Sequence, residues 1–517
     1  MTKILWADDE IDLLKPHIIF LESKGYTVTP VISGADAFDK CKTELYDVVF
    51  LDENMPGMTG LETLTQIKAI KPNLPIVMIT KSEEEKIMEE AIGSKISDYL
   101  IKPLNPNQIL LSVKKILDNK RLVAEKTNSG YQQEFRQISM AYNEKMNHQE
   151  WADIYKKLVY WELEIDRSES KDMKEVLDMQ KSEANTEFCK FVMRNYENWL
   201  NEPKADKPIF SNNLMKKKVF PLLSGSEPVF FILIDNLRYD QWKTLEPEIN
   251  ELFTTEIEDT YYSILPTTTE YCRNAIFSGM MPSEMEKTHP DLWWKDEEET
   301  GHNQNEDKFL AAQLKRNQLG NVKMSYNKIL NSHQGKVLND NYNNLLDNKL
   351  NVIVYNFVDM LSHARTETTM IRELAHDESA YRSITASWFH HSTLLDFLKK
   401  LSQHKVKVII TTDHGTIRTK RASKIIGDRE TNTNLRYKTG KNLSFDEKEV
   451  FATRKPERFF LPKRNITTSY VFAKEDYFLA YPNNYNYYVN YYKDTFQHGG
   501  ISLEEVIIPV ILLKNKE

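Results

Sequence analysis

The sequence predicts an α/β fold class in three parts: a five-stranded, doubly wound parallel sheet, a helical bundle linker and a larger α/β domain. Short apolar runs alternate with amphipathic stretches over residues 1–118 and again after residue 208, a pattern that is typical of parallel βαβ units. Between these regions, residues 107–202 contain no proline and a single glycine, which favours helices. We therefore expect domains over residues 1–120, 121–205 and 206–517.

The apolar runs also predict the individual elements. In the first domain they predict strands at Ile4–Ala7, Tyr26–Val31, Asp47–Leu51, Ile76–Thr80 and Ser97–Ile101, and helices at 33–43, 60–70 and 83–92. In the third domain they predict strands at Val229–Ile234, Val352–Asn356, Val406–Thr411 and Val506–Leu512. In the helical part, polar residues predict breaks near Asn128–Gly130 and Ser168–Ser170.

Composition excludes several classes of protein. The chain has 517 residues, and its 68 Lys and Arg against 76 Asp and Glu give a net charge of −8, which excludes a wholly basic nucleic-acid coat. Three widely spaced cysteines, Cys41, Cys189 and Cys272, provide neither a disulfide framework nor a cysteine-rich zinc module. The first residues lack the apolar core of a signal peptide, and no apolar run approaches the ~18–20 residues needed to span a bilayer. We expect a cytoplasmic protein with no membrane span.

Acidic side chains follow the strands of the first domain. Asp8 and Asp9 come after the first strand and Asp52 after the third, while Thr80 closes the fourth strand and Lys102 follows the fifth. Because the carboxyl ends of parallel strands meet at one edge of a sheet, these acids should form a cluster that binds Mg²⁺. A carboxylate beside Mg²⁺ and a lysine can accept a phosphoryl group, since both cations offset charge on the transferring oxygens. For any single aspartate, a helix N-cap is the alternative.

These residues resemble the receiver domain of response regulators, together with the run LDENMPGMTG around Asp52 and with Tyr99 three residues before Lys102. The resemblance implies that a sensor histidine kinase phosphorylates Asp52. It implies a Mg²⁺ site made of Asp8, Asp9 and Asp52, and a receiver switch made of Thr80, Tyr99 and Lys102.

A second set of polar residues lies in the third domain. It consists of Asp235 after the strand FFILI, Asp359 and His363 after NVIVYNF, Asp413-His414 after VKVIITT, and His498 before Gly499-Gly500. Imidazole and carboxylate ligands together favour Zn²⁺ or Mn²⁺, and this set exceeds what one tetrahedral ion needs. The set therefore predicts two ions a few Å apart, which can clamp the attacking and leaving oxygens of a phosphoryl transfer.

Such a site needs a nucleophile. The segment SILPTTTEYCRNAIFSG offers three threonines, at 267–269, where a strand is expected to turn into a helix. A metal-bound threonine is acidified and can attack as an alkoxide, and a helix N-terminus beneath it adds donors for the phosphate. For the threonines taken alone, plain helix capping is the alternative.

In chain order, the set Asp, Thr, Asp-x-x-x-His, Asp-His, His resembles the alkaline phosphatase superfamily, particularly its nucleotide pyrophosphatase/phosphodiesterase branch. Residues 266–279 fit the nucleophile segment of that branch without a gap, and the runs IDNLRYDQW and RYKTGKN (436–442) are similar to the PglZ variety of the superfamily. The resemblance implies that Thr269 is the nucleophile. It implies one Zn²⁺ on Asp235, Thr269, Asp413 and His414, and a second Zn²⁺ on Asp359, His363 and His498. EYCRN stands where that branch has Pro-Asn after the nucleophile, which leaves Arg273 and Asn274 as candidate oxyanion donors.

A basic segment follows the Asp413-His414 pair. Residues 415–464 carry fourteen Lys or Arg and six Asp or Glu, a local charge of +8, which suits either a wall that attracts polyanions or a solvated charged loop. Seven tyrosines between Tyr477 and Tyr492 suit either stacking on bases or a strand surface with an aromatic core face. The candidate substrate contacts are Arg273, Asn274, Arg436, Lys438 and Lys441.

Two functional hypotheses follow. The first is a metal-dependent phosphodiesterase controlled by phosphorylation of Asp52 and acting on nucleotides or on cyclic or linear oligonucleotides. The three-part arrangement is similar to that of response regulators linked to type IX secretion, which implies a sigma factor and a secretion component as partners. The second hypothesis is a metal-stabilised scaffold that docks such a partner when phosphorylated. Direct DNA binding is less favoured, because no recognition helix is evident. We expect the phosphorylated receiver to pair with a second copy in a homodimer.

Overall fold

The computed structural model describes residues 2–81, 96–142, 145–168, 171–293, 303–367, 373–427, 432 and 434–516. The chain divides into two compact units, Met1–Gln132 with Ser168–Ser170, and Gln133–Arg167 with Lys171–Glu517. The helix predicted over 83–92 lies outside the described residues. The domain boundaries at 120 and 205 stay predictions.

The first unit contains a parallel five-stranded sheet. Its strands are β1 (Lys3–Ala7), β2 (Thr27–Val31), β3 (Val48–Asp52), β4 (Ile76–Thr80) and β5 (Asp98–Ile101), and its helices include α1 (Lys15–Ser23), α2 (Gly34–Thr43) and α3 (Gly60–Ile70). The strand order is β2-β1-β3-β4-β5, and every neighbouring pair is parallel. The five predicted strands are confirmed to within one residue at each end.

Helices cover both faces of this sheet. Side chains of α2 and α3 pack with one face, and α1 packs with the other. The central strand β3 is buried at all its positions, as expected for a parallel strand covered on both sides. The doubly wound arrangement is therefore confirmed, and it brings the last residue of β3, Asp52, to the carboxyl edge of the sheet.

Three long helices follow: α4 (Pro106–Ala141), α5 (His148–Ser168) and α6 (Lys171–Asn201). The break expected near Asn128–Gly130 is wrong, because α4 continues through it; one glycine inside a long helix costs only about 1 kcal/mol. The other break is confirmed, since α5 ends at Ser168 and α6 begins at Lys171.

Within the second unit, α6 is joined to the larger α/β region by buried hydrogen bonds. The side chain of Asn185 donates to Glu504 (3.0 Å) and accepts from the Leu503 N–H (2.7 Å). The Tyr196 hydroxyl accepts from the Leu265 N–H at 2.8 Å. Breaking such buried bonds leaves polar groups without water or partner, so these contacts favour a fixed attachment of α6.

The second unit is built around a six-stranded sheet with smaller sheets beside it. Its strands are β6 (Val229–Ile234), β7 (Phe253–Tyr262), β8 (Met324–Ile329), β9 (Leu350–Tyr355), β10 (Lys407–Thr411), β11 (Ile417–Arg418), β12 (Arg421–Ile426), β13 (Tyr437–Lys441), β14 (Ser444–Phe445), β15 (Val450–Thr453), β16 (Thr468–Ala473), β17 (Tyr477–Ala480), β18 (Phe496–Gln497) and β19 (Ile507–Asn515). Its further helices are α7 (Tyr239–Leu252), α8 (Thr269–Ser278), α9 (Pro282–Thr288), α10 (Glu306–Arg316), α11 (Ser332–Asp340), α12 (Tyr342–Leu346), α13 (Phe357–Glu367), α14 (Glu378–His390), α15 (Thr393–Leu401), α16 (Tyr485–Tyr492) and α17 (Leu503–Val506).

The large sheet has the order β7-β19-β10-β6-β9-β8. Its β10, β6, β9 and β8 run parallel, whereas β19 and β7 complete it antiparallel. The four predicted strands of this region are confirmed as β6, β9, β10 and β19. Because β10, β6 and β9 are adjacent and parallel, the residues that follow their carboxyl ends meet at one edge of the sheet.

Part of the basic segment forms strands β11 to β15, so it is not one continuous loop, although side chains such as Lys420 and Lys424 are exposed. Its arginines pair with acids: Arg421 with Glu475 at 2.7 Å, and Arg436 with Glu505 at 2.6 Å. The tyrosines of Tyr485–Tyr492 lie on helix α16 rather than on a strand, which corrects the strand-surface alternative for them. None of the described helices combines the length and apolar character that crossing a membrane requires.

Candidate functional site

An acidic cluster lies at the carboxyl edge of the receiver sheet. Asp8, Asp9 and Asp52, which we call the receiver acid cluster, each offer a carboxylate oxygen within 4.8 Å of the others. The Lys102 ammonium lies 2.7 Å from Asp8 Oδ2 and 2.8 Å from Asp52 Oδ1. The structure therefore brings together the three predicted acids and the predicted lysine.

Burial and charge act against each other in this cluster. Burial raises the pKa of the Asp52 carboxyl, and the Lys102 ammonium opposes that rise. Burial would lower the pKa of Lys102, but hydrogen bonds to Asp52 and Asp8 raise it overall. Asp9 is exposed, so the cluster is open on one side, and its all-oxygen donors fit Mg²⁺. The other two predicted switch residues differ in exposure: Thr80 is buried, and Tyr99 is 40% exposed.

Two groups of metal-ligating side chains lie at the carboxyl edge of the large sheet. Group 1 consists of Asp235, Asp413 and His414, and group 2 consists of Asp359, His363 and His498; within each group the ligating atoms lie within 4.8 Å of one another. The rings of His414 and His498 stack with centroids 4.2 Å apart, so the two groups are neighbours. Six of the seven predicted zinc ligands are thus assembled into the two sets that the resemblance implies, and the seventh, Thr269, lies beside group 1.

Backbone carbonyls orient the two buried imidazoles. His414 Nδ1 lies 3.1 Å from the Gly415 carbonyl oxygen, and His498 Nδ1 lies 3.3 Å from that of Thr267. A ring whose Nδ1–H donates to a carbonyl presents the Nε2 lone pair to a metal. Burial lowers the pKa of His414 to about 4 and that of His498 to about 3. Both rings are therefore neutral at physiological pH, which is the form that binds metals.

Two of the three carboxylates of these groups, Asp359 and Asp413, have raised pKa values. Burial raises the pKa of Asp359 to about 7, and burial together with the Asp235 carboxylate raises the pKa of Asp413 well above its usual range. Asp413 Oδ2 is buried and accepts no hydrogen bond from the described residues. Bound cations would remove both penalties, since they stabilise the ionised carboxylates. The mixed nitrogen and oxygen donors fit Zn²⁺ or Mn²⁺.

Thr269 lies at the start of helix α8, directly beside group 1. Its Oγ1 is 2.9 Å from His414 Nε2 and 3.4 Å from Asp235 Oδ1. The strand β7 ends at Tyr262 and α8 begins at Thr269, so the predicted change from strand to helix is confirmed. Of the three threonines considered from the sequence, Thr267 instead donates to the Gly500 carbonyl. The geometry thus favours Thr269 as the hydroxyl that can attack.

Sequence analysis missed Asn236, which connects the two groups. Its backbone N–H lies 3.4 Å from Asp413 Oδ1, and its side-chain Nδ2 lies 3.4 Å from Asp359 Oδ1 and 3.2 Å from the Ser362 hydroxyl. The backbone has a φ of 65°, a left-handed conformation that asparagine tolerates better than most residues. The signals in the sequence are that Asn236 follows Asp235 directly and lies in the run IDNLRYDQW.

Several predicted substrate contacts are buried in ion pairs instead. Arg273 Nη1 donates to Asp235 Oδ2 at 2.6 Å, and its Nε donates to Glu306; burial would raise the pKa of Asp235, but this guanidinium lowers it overall. Arg436 is fully buried against Glu505. Direct substrate contacts do not fit these two arginines, because each already compensates a buried carboxylate.

The other predicted contacts differ in their surroundings. Lys438 is buried, donates to the Asn432 carbonyl at 2.8 Å, and has its pKa lowered to about 7 by burial. A contact to substrate from this position does not fit, because the ammonium is enclosed. Asn274 donates from its side chain to the Glu270 carbonyl at 2.9 Å. Lys441 is half-buried, and it stays a predicted contact together with Asn274.

Three protein families match consecutive parts of the chain. Residues 4–114 match the response regulator receiver domain, residues 121–200 match the PorX response regulator linker domain, and residues 214–513 match the BREX system PglZ alkaline phosphatase-like domain.

Curated relatives match over a minor part of the chain. The transcriptional regulatory protein ResD of Bacillus subtilis (strain 168) is 34% identical over 116 residues, which cover 22% of this chain and 48% of ResD. The alkaline phosphatase synthesis transcriptional regulatory protein PhoP of the same organism is 34% identical over 124 residues, which cover 24% of this chain and 51% of PhoP. The chain spans about half the length of these curated relatives.

Solved structures match over a similar share. A CheY-like receiver domain protein from Methanospirillum hungatei JF-1 is 25% identical and covers 23% of this chain and 95% of its own, with a TM-score of 0.23. The response regulator TrrA from Thermotoga maritima, in complex with Mg(2+)-BeF, is 28% identical and covers 22% of this chain and 99% of its own, with a TM-score of 0.21.

The family matches and the assembled side chains agree. The receiver acid cluster lies within the residues matched to the receiver domain, and groups 1 and 2 lie within those matched to the PglZ domain. A receiver domain implies a histidine kinase as partner. The chain therefore belongs to the PglZ alkaline phosphatase-like family, and its receiver, linker and PglZ domains have the architecture of a PorX-type response regulator.

Proposed function

We propose that this response regulator is a metal-dependent phosphodiesterase that cleaves nucleotide-type phosphodiesters and is controlled by phosphorylation of Asp52. The observation that carries the proposal is the position of Thr269, whose hydroxyl lies 2.9 Å from His414 Nε2. A nucleophile at a helix start, beside two neighbouring groups of metal ligands, suits attack on a phosphate and does not suit a structural metal site.

In the proposed reaction, Thr269 Oγ attacks phosphorus while the bond to the leaving oxygen breaks. The hydroxyl proton ends on the leaving alcohol, and the remaining phosphoryl group, which still carries its other ester group, is bound to Thr269 as a phosphodiester. Water then attacks this phosphorus, the bond to Thr269 Oγ breaks, Thr269 regains a proton, and the other ester group leaves as a phosphomonoester. Zn²⁺ ions bound by the two groups would lower the pKa of the hydroxyl and offset charge on the phosphate oxygens. The N–H groups that begin α8 are suited to bind the phosphate, and Arg273 orients the Asp235 carboxylate.

A nucleotide-type substrate is supported by the tyrosine helix α16. Tyr487 and Tyr491 stack with centroids 6.1 Å apart, and Tyr488 and Tyr492 do the same. Lys424 lies 5.2 Å from the Tyr485 ring. Exposed aromatic rings beside a cation favour stacking of bases and attraction of the phosphate backbone. Helix α16 ends six residues before His498, a member of group 2.

Mutation of Thr269 tests the proposal. Thr269→Ala should lower turnover of an aryl phosphodiester by at least about 10³-fold, because the attacking oxygen is removed, while the metal content stays unchanged. The control is Thr244→Ala, which removes a helix threonine whose hydroxyl bonds only to backbone carbonyls of its own helix. Undiminished turnover in Thr269→Ala would refute a phosphodiesterase that uses this nucleophile.

The proposed control acts through assembly. Phosphorylation of Asp52 by the histidine kinase, with Mg²⁺ bound, would reposition Thr80 and Tyr99 and so change one receiver face. Two such faces would then pair in a homodimer. Sedimentation with a beryllofluoride mimic on Asp52 should show twice the monomer mass, and an unchanged mass would remove this part of the proposal.

A second candidate function is a scaffold that docks a sigma factor or a type IX secretion component. Buried ion pairs favour it, because they join α5 rigidly to the PglZ region: Arg382 lies 2.9 Å from Glu162 and 2.8 Å from Asp240. Variants of the metal ligands that stay folded distinguish the two candidate functions. If such a variant loses hydrolysis but still supports the process that the protein regulates in the cell, the scaffold is favoured. If it loses both, the phosphodiesterase is favoured.

A further inference from the structure

A cavity is lined in part by helix α13, which also carries two of the group 2 ligands. It has a volume of about 650 Å³, within the range of roughly 300–1,000 Å³ that is usual for small-molecule sites. Phe357 and Met360, three residues apart on α13, line it. Asp359 and His363 lie four residues apart on the same helix, so α13 presents the cavity on one face and metal ligands on the adjacent face.

One side of the cavity is aromatic. The rings of Phe357 and Trp388 stack with centroids 4.4 Å apart and an angle of 3° between their planes. Both side chains are half-buried, and Met360, which is 52% exposed, lies at the same wall. A flat, partly accessible ring pair with a flexible thioether beside it suits a planar aromatic group such as a nucleobase.

Two helix N-termini also line the cavity. The capping residue of α11, Asn331, and that of α15, Ser392, both line the cavity. The two helices approach so closely that a Cβ on Gly335 would lie 2.0 Å from Thr393 Oγ1. Adjacent helix N-termini combine N–H donors with the positive ends of two dipoles, which attract a phosphate.

A buried polar atom also points to a ligand. Tyr355 lines the cavity and is only 3% exposed. Burial raises the pKa of its hydroxyl, and a weak hydrogen bond with Thr393 partly opposes that rise, but no partner among the described residues has good hydrogen-bonding geometry. Burying a hydroxyl with such a weak partner is costly. A bound polar group would remove that cost.

We propose that this cavity binds a nucleotide, with its base against Phe357 and Trp388, its phosphate at the N-termini of α11 and α15, and a polar group on Tyr355. The nucleotide is either a free mononucleotide or one unit of an oligonucleotide that extends from the metal centre. The site goes beyond the proposed function, because nucleotide binding can be measured without turnover.

Equilibrium dialysis of the full-length protein with labelled AMP, GMP, CMP and UMP tests the proposal. At least one of them should bind, and Trp388→Leu should weaken that binding by about tenfold or more, because a stacking surface is lost. The control is Tyr160→Leu, which removes a 55% exposed aromatic ring elsewhere and should leave the affinity unchanged. Equal affinity in Trp388→Leu, or no binding by any of the four mononucleotides, would overturn the proposal.

Two further variants make the test independent of misfolding and identify the source of the ligand. Asn331→Asp preserves the cap and adds a negative charge, so it should weaken binding of the mononucleotide but not of the nucleoside. His363→Ala alters group 2 alone. Binding that survives His363→Ala assigns the cavity to a free mononucleotide, and binding lost in both His363→Ala and Trp388→Leu assigns it to a unit of the substrate. Binding lost only in His363→Ala would place the ligand at the metal centre and refute the proposal.

Discussion

The receiver acid cluster and the two PglZ groups occupy the same kind of place, the carboxyl edge of parallel strands, with different side chains. In the receiver, Lys102 contacts two of three carboxylates and the third is exposed. In the PglZ domain, buried histidines with lowered pKa values lie near two carboxylates with raised pKa values, Asp359 and Asp413. The receiver site has only oxygen ligands and the Lys102 ammonium beside them, which suits a transiently bound Mg²⁺ and a phosphoryl group. The buried histidines and carboxylates of the PglZ groups suit permanently bound ions.

The largest expected effect comes from exchanging the metals. Dialysis against a chelator should lower turnover of an aryl phosphodiester by about 10³-fold or more, because activation of the nucleophile depends on the ions. Zn²⁺ or Mn²⁺ should restore turnover, and Mg²⁺ should not. Phosphorylation of Asp52 by a small phosphodonor should have the opposite metal requirement: Mg²⁺ alone should restore it. Restoration of both reactions by Mg²⁺ alone would show that the two sites do not differ as described.

A buried charge network joins α5 to the start of α7: Arg382 lies 2.9 Å from Glu162 and 2.8 Å from Asp240. Burial would raise the pKa of Glu162, but Lys181 and Arg382 hold it well below its ordinary value of 4.5. Glu162→Gln should lower the free energy of unfolding by about 3 kcal/mol near neutral pH, because it leaves buried cations without their partner. Glu164→Gln on the same helix, whose pair with Arg167 is more exposed, should cost less than about 1 kcal/mol.

The loss in free energy of unfolding caused by Glu162→Gln should become smaller as the pH falls. A carboxyl with a lowered folded pKa stabilises the fold above its unfolded pKa and loses that contribution as the pH falls toward the folded value. The difference between wild type and Glu162→Gln should therefore be constant down to about pH 5.5 and shrink as the pH falls below 4.5. Unfolding measured by denaturant at a series of pH values checks this, and a difference that grows on acidification would contradict it.

The metal ligands could be predicted from the sequence, whereas the residues that pair with them could not. Asp235 and Asp413 each follow an apolar strand directly, so a local pattern marks them. The partners of Arg273 and Arg436 lie 33 and 69 residues away along the chain, and only the folded structure brings them together. Their positive charge predicted contacts to substrate, but both side chains are buried in the folded protein and pair with carboxylates instead.

The local sequence pattern also failed to predict secondary structure where the same residues are compatible with both a strand and a helix. The dense tyrosines before His498 are compatible with a strand or a helix, and packing selected helix α16. Asn236 was missed because its role depends on Asp359, 123 residues later in the chain. The buried strands, by contrast, follow from short apolar runs, which is why all five strands of the first sheet and four of the six strands of the large sheet were predicted, whereas the more polar β7 and β8 were not.

A smaller effect is expected at Asn236, the residue that connects the two PglZ groups. Asn236→Gly keeps the left-handed backbone accessible but removes the amide that contacts Asp359, so Zn²⁺ affinity or turnover should fall about 10- to 100-fold. The control is Asn442→Gly, at an exposed asparagine that also has a positive φ, 52°, and it should change neither. Equal behaviour of the two variants would mean that the amide of Asn236 does not support the ligands.

We propose that the PglZ domain binds two resident ions and that the receiver binds its Mg²⁺ only transiently. Elemental analysis of the purified full-length protein after gel filtration in metal-free buffer tests it most directly. We predict about two equivalents of Zn²⁺ or Mn²⁺ per chain in wild type, and about one equivalent when His498 is replaced by alanine. A wild-type protein that retains no transition metal, or a variant that retains the full wild-type amount, would contradict the account.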